Sequence, residues 1–488
     1  MRLDRRTMLR TSGAGALLGG PFAGFAAMPA GAATRPGGRP PELVPAKDRR
    51  DGKVRLHLPP GFSYRSFHDT EQPVVLDDGT ALPGRHDGMG AFRGRKGTSV
   101  LVRNHEIPVG DAEEPFGPGR PYDEGTAGGG TTTVRVTGDG RVLSSFTSLN
   151  GTIMNCSGGI MPWGSWVTCE ETVNGPDVGP DFTGTPNTGL RKPHGYVFEV
   201  PAGGRSRGRP VRGAGRFAHE AVSFDPKGGS LYLTEDNFGF ASGFYRYTPR
   251  RNPMRCGYLD DVGVLEMLAV KGRPNAHLEG RQRRGATYDV RWVRIKEPDF
   301  LFDHTPGQTA PTTNNEAIVF VGDQGRARGA AYFSRLEGQV YDRGVVYFTS
   351  TEGGGDPEAG VENPAGYGNG FGQVWGYDTR RETLTCVFQS PDQSVLDFPD
   401  NVTTSRKGTL VVCEDSSGDN YLRGLSPRGR LWDIALNRLT SGGGDEDRFS
   451  DEFAGSTFSR DGRTLFVNIQ AEHGMTFAIW GPWGRIGV

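Results

Sequence analysis

The sequence predicts an all-β fold, a six-bladed β-propeller (seven blades remain possible) with an axial metal site. Three observations carry this reading. Of 488 residues, 76 are glycine and 34 are proline, with 35% hydrophobic content, a balance that suits short strands and many turns better than long helices. A turn that feeds a short β-branched or aromatic run recurs at 223–237, 404–415 and 459–470. Acidic residues end such runs at Glu106, Glu171, Glu235, Glu352, Glu414 and Glu472. They return about every 60 residues with one double interval, the fixed period of a repeat architecture, and longer than a bare blade of ~40–50 residues, so the blades carry loop insertions.

Taken in order, residues 1–33 read as an export signal. Arg5-Arg6 and Leu9 precede a weakly apolar Gly/Ala run ending in Ala30-Gly31-Ala32, a small-x-small cleavage pattern, and the paired arginines point to the twin-arginine machinery. The run is too short and glycine-rich to stay as a membrane anchor, so the mature protein is expected to be secreted or periplasmic. Residues 34–52, rich in Pro, Gly and Arg, read as a flexible lead-in, and 53–488 as one propeller domain. Lys+Arg (56) and Asp+Glu (57) nearly cancel, which argues against nucleic acid or an anionic membrane as partner. Five cysteines are an odd number, so at least one stays unpaired within a monomer, and the absence of C-x-x-C argues against a zinc ribbon.

If the acidic run ends converge on a propeller axis, they repel one another unless cations lie among them. The stretch from Asn155 to Thr172 concentrates this chemistry. Cys156 sits in a glycine-flanked loop, and Glu170 and Glu171 end an apolar run, where unpaired burial is costly. Taken alone, Cys156 fits a small buried hydrophobe as well as a ligand. Glu220 lies between His219 and aliphatic residues, and an ion pair with Arg216 would account for it equally well. Alternation over 331–338 places Phe333, Arg335 and Glu337 on one face, which makes either a surface ion pair or a metal carboxylate beside a phosphate-binding fork. Asp397, Asp400 and Asn401 surround Pro399, an oxygen-only set that suits calcium or an Asx turn.

Several long, ordered motifs match a known family: Asn155-Cys156-Ser157-Gly158-Gly159, Pro162-Trp163-Gly164-Ser165-Trp166 through Glu171, His219-Glu220, Arg335-Leu336-Glu337-Gly338, Pro399-Asp400-Asn401, and Phe453-Ala454-Gly455 through Asn468-Ile469-Gln470 to Gly481-Pro482-Trp483. From about Arg85 to the C-terminus the chain resembles the PhoX-type alkaline phosphatases. The resemblance implies a six-bladed propeller whose axial site holds Fe3+ and Ca2+ and hydrolyses small-molecule phosphate monoesters outside the cytoplasm. It implies Cys156 as an iron thiolate, Glu220 and Glu337 as carboxylates of the iron and calcium cluster, and Glu170 or Glu171 with Asp400 and Asn401 as calcium ligands. Arg335 resembles the phosphate-binding arginine and, with Glu337 and Glu220, forms the expected catalytic set. Asn104 and Glu106 join the axial group by repeat position only. The chain is shorter than the larger members, which bears on substrate range. A monomer is expected. The other readings are a calcium-stabilised binding propeller without catalysis and a propeller phosphodiesterase or lactonase.

Overall fold

The computed structural model describes residues 42–441 and 446–488. The signal segment 1–33 and the lead-in up to residue 41 lie outside the described residues. Antiparallel sheets follow one another along the chain. The first is His86–Arg93, Ser99–His105, Gly129–Val136 and Val142–Thr152; the next is Asn155–Met161, Ser165–Glu170 and Val197–Pro201. A nine-stranded sheet combines two such units, one opening with His219–Asp225 and the other with Leu336–Asp342. Thr287–Arg294 joins them by pairing with Gly263–Val270 on one side and Thr383–Gln389 on the other. The last two units open with Pro399–Thr404 and Phe453–Phe458.

The opening strands touch in sequence, His86–Arg93 against Asn155–Met161, then His219–Asp225, Leu336–Asp342, Pro399–Thr404 and Phe453–Phe458, and the last returns to the first. N-terminal chain completes the C-terminal sheets, since Ser63–Phe67 pairs with Met475–Trp480 and Val54–Leu58 pairs with Leu431–Asn437. The last two units are thereby closed by strands from both ends of the chain, and the fold is all-β and propeller-like. Apolar faces of adjacent sheets meet, as where Met89, Leu101 and Val134 pack on Phe67 and Phe466. Each such fully buried side chain contributes about 1.5–3 kcal/mol.

The repeated turn-and-strand pattern is the hairpin between the first and second strand of a unit. Gly229, Gly408 and Gly462 supply its left-handed residue, with φ of 75°, 81° and 68°. One expectation is corrected. Val44–Lys47 pairs with Val54–Leu58, and Asp48 is buried in an ion pair with Arg55 at 2.8 Å, so the lead-in merges with the fold well before residue 52. The double interval between Glu235 and Glu352 is filled by Thr287–Arg294 and by the helix Asn314–Arg326, which opens on a Thr313/Glu316 capping box. All five cysteines are free thiols. Among the described residues no helix is long and apolar enough to cross a membrane.

Candidate metal centre

Each opening strand begins with the same irregularity. Pairing with the second strand skips two residues between His86 and Met89, Asn155 and Gly158, His219 and Val222, Leu336 and Gln339, Pro399 and Val402, and Ala454 and Thr457. Such a bulge frees two residues from the ladder and re-aims their side chains. The first freed residue is Asp87, Cys156, Glu220, Glu337, Asp400 or Gly455, so five of the six carry an acid or a thiol. The second is small in most units, and Gly88 shows why: a Cβ there would come within 2.5 Å of Ser157 Cα on the neighbouring strand. Arg85, Met154, Arg335 and Phe398, each just before a bulged strand, hold φ between 41° and 49°. Such left-handed residues cost energy and persist where the surrounding packing enforces them.

Two overlapping trios result. Ligand atoms of Cys156, Glu171 and Glu220 lie within 4.8 Å of one another, as do those of Glu220, Glu337 and Asp400. A second tier comes from residues just past the second strands. Glu106 and Asp87 share Gln470, whose Nε2 donates to Asp87 Oδ2 at 2.8 Å and to Glu106. Asp236 grips Arg335, accepting from its Nε at 3.2 Å and its Nη2 at 3.0 Å, while Arg335 Nη2 also donates to Glu337 at 2.8 Å.

The electrostatics follow from crowding. Burial first, then Glu337, Glu171, Asp400 and Asp87, hold Glu220 well above the usual carboxylate range. Burial and Asp236 raise Glu337 against the pull of Arg335. Burial and Asp415 push Asp400 up to about 7. Burial, Glu220 and Glu171 raise the Cys156 thiol. Cations would remove this cost, and the donor set fits them: one trio mixes a soft thiolate with carboxylates, and the other is all oxygen.

Glu170 is placed elsewhere. It accepts from His194 Nδ1 at 2.6 Å and from the backbone N–H groups of Ile153, Gly195 and Tyr196. Glu235 and Glu414 occupy the same position in their units and are engaged the same way. Glu235 accepts from Gly243 N and Tyr245 Oη, and Glu414 from Tyr421 N and Arg423 Nε. Each ends a second strand and ties it to the third, facing the sheet interior. The acidic run ends were therefore expected on the axis one residue too early: Asp236 and Asp415, not Glu235 and Glu414, continue the series of Glu106 and Glu171. Glu472 is exposed. Glu352 comes within 4.0 Å of Arg335 Nη1.

Other expectations resolve by partner. Arg216 pairs with Asp177 at 2.6 Å and leaves Glu220 to the cluster. Arg335 does not continue a strand from Phe333, because its left-handed backbone breaks the alternation, yet its side chain still reaches Glu337. Asn401, expected among the calcium ligands, fastens its bulge: its Nδ2 donates to Asp400 at 2.7 Å, and its Oδ1 accepts from Gly455 N at 2.9 Å. Asn104 likewise fastens the Cys156 bulge, donating to the carbonyls of Cys156 at 2.9 Å and Ser157 at 2.7 Å. Asp87, Asp236, Asp415 and Gln470 were missed. The signal for Asp87 is visible afterwards as an acid or cysteine followed by a small residue at the start of a strand, the pattern of Asp87-Gly88, Cys156-Ser157, Glu220-Ala221 and Glu337-Gly338.

A family model described as alkaline phosphatase PhoX matches residues 42–144 and 130–472. Among solved structures, PhoX of Pseudomonas fluorescens in complex with vanadate, a transition-state analogue, is similar with a TM-score of 0.63 and 17% identity, over 90% of this chain and 97% of that one. A gluconolactonase from Xanthomonas campestris gives a TM-score of 0.39 and 13% identity, over 90% and 98% of the two chains. A streptogramin B lyase gives 0.38 and 10%, over 86% and 98%. No curated protein matches. With the family model covering most of its length, and with the buried thiol and carboxylates converging where its bulged strands meet, this chain belongs to the PhoX alkaline phosphatase family.

Proposed function

We propose that this chain is a metal-dependent phosphatase that releases inorganic phosphate from small phosphate monoesters, working as a monomeric six-bladed propeller outside the cytoplasm after twin-arginine export. The observation that carries the reading is the buried trio pair Cys156/Glu171/Glu220 and Glu220/Glu337/Asp400 beside the clamped guanidinium of Arg335. The relative solved with vanadate, a mimic of the phosphoryl transition state, supports the same chemistry. Cys156, Glu171 and Glu220 would hold Fe3+, because a thiolate among carboxylates suits iron, and Glu220, Glu337 and Asp400 would hold Ca2+. When bound, these cations neutralise phosphate oxygens and ease departure of the leaving alkoxide.

The protein's own part is positioning. Asp236 and Glu337 fix the Arg335 fork before substrate arrives, so its N–H groups meet the equatorial oxygens without reorganisation. Asn104 and Asn401 lock the bulges that aim Cys156 and Asp400. Burial around the site excludes water and strengthens each of these charge interactions. The test is hydrolysis of p-nitrophenyl phosphate, bis(p-nitrophenyl) phosphate and a lactone by purified protein, with metal analysis of the same sample. Monoester turnover with iron and calcium present is expected. Preference for the diester or the lactone, or no turnover with metals supplied, would overturn the proposal.

A further inference from the structure

A cavity of about 350 Å³ opens away from the metal centre, between the edge strand Ser63–Phe67 and the turn that precedes Val142. Arg50, Arg65, Arg141 and His68 line it; its one lining carboxylate, Asp69, pairs with Arg50 at 2.9 Å, and outside the lining Asp51 lies 3.6 Å from Arg50 and the half-buried Asp139 lies 3.3 Å from Arg141. Arg65 has no carboxylate partner among the described residues; its Nε donates to the Asp139 carbonyl at 3.1 Å. Behind the wall Arg103 is fully buried, and it too meets no carboxylate. It donates to Thr476 Oγ1 at 2.8 Å, Thr132 Oγ1 at 3.2 Å and His68 Nδ1 at 3.2 Å, and its Nε finds no acceptor.

A guanidinium only donates, so His68 Nδ1 must accept, and the ring proton of the neutral imidazole sits on Nε2. Burial and the Arg103 charge keep His68 neutral by holding it well below the usual histidine range. Nε2–H therefore stands as a donor in the cavity wall with no protein acceptor among the described residues, on a residue held at φ 53°. A buried cation without a counter-charge costs several kcal/mol unless an anion lies near. We propose that this cavity is a second anion site, which binds a small tetrahedral oxyanion of the phosphate or sulfate type through Arg65, Arg50, Arg141 and His68 Nε2–H and balances Arg103 behind them.

Calorimetric titration of the purified, metal-loaded protein with inorganic phosphate tests this, with Arg335→Gln silencing the axial site. Wild type should show two binding events. Arg65→Gln should weaken one of them at least about 10-fold, the loss of one charge-assisted hydrogen bond, and keep p-nitrophenyl phosphate turnover. Arg335→Gln should keep that same event and lose the other. Arg141→Gln, at an exposed position, provides a second variant that leaves the core intact. The proposal is overturned if Arg335→Gln abolishes all phosphate binding, or if Arg65→Gln and Arg141→Gln both bind as wild type does.

Discussion

Glu170 and Glu171 are consecutive in the chain and face opposite ways, Glu170 accepting from His194 Nδ1 at 2.6 Å and Glu171 sharing a 4.8 Å cluster with Cys156 and Glu220. A strand sends successive side chains to opposite faces, so one residue separates a carboxylate tied to His194 from one in the thiol and carboxylate cluster. Glu170→Gln leaves the buried His194 charge short of its main partner and should lower stability by about 3–5 kcal/mol, read from the urea midpoint. Glu171→Gln should instead lower bound metal and leave the metal-stripped protein at least as stable as wild type, because a like charge has been removed.

Cys156→Ser keeps the size of the side chain and removes the thiolate. Iron content and visible absorption should vanish, and kcat should fall by about 100-fold or more, since even partners one layer out from a ligand change activity 10–100-fold. Visible absorption that survived the substitution would refute the assignment.

Arg335→Lys preserves the charge facing Asp236 and Glu337 and loses the planar fork. A fall of about 100- to 1000-fold in kcat, with metal content unchanged, is expected from steady-state kinetics.

His194 sits between Glu170 and Asp123, with its Nε2 3.3 Å from Asp123. Burial opposes its charge, but Glu170 and Asp123 outweigh it and raise its pKa from 6.5 to about 9. The stabilisation is fully present below pH 6.5 and is lost as pH rises through about 9, amounting to about 3 kcal/mol. Urea midpoints at pH 6 to 10 should show this decline in wild type and a flatter profile in His194→Gln.

Asn104→Ala deprives Trp166 Nε1 of its acceptor at 2.9 Å and two bulge carbonyls of their donor. Each buried group left unsatisfied costs about 1–3 kcal/mol. Lower stability, altered tryptophan emission and reduced metal binding should appear together.

The turn chemistry of the sequence located the hairpins, because a glycine at a left-handed position is a local requirement that needs no partner. Cys156, Glu220, Glu337, Asp400 and Arg335 were legible as chemistry from their residue types and from the family resemblance. The axial register was not. The sequence left Glu170 or Glu171 open and took Glu235 where Asp236 belongs, and the bulged register that decides between such neighbours is a property of two paired strands. Asp87 escaped because the acid-then-small pattern of Asp87-Gly88 acquires its meaning only when the neighbouring strand packs within reach of Gly88 and buries the charge.

The sequence by itself therefore determined the all-β class, the repeat, the hairpin positions and the residue types from which a cation site is made. Tertiary structure alone decided which acids meet, that Glu170, Glu235 and Glu414 tie strands together while Glu171, Glu220, Glu337 and Asp400 converge, and that Arg216 belongs to Asp177. Local pattern fixes what a side chain is and which face it takes once the register is known. Register and convergence come from strands distant in sequence closing into a ring, and only the closed ring makes the repulsion among those carboxylates a demand for metal.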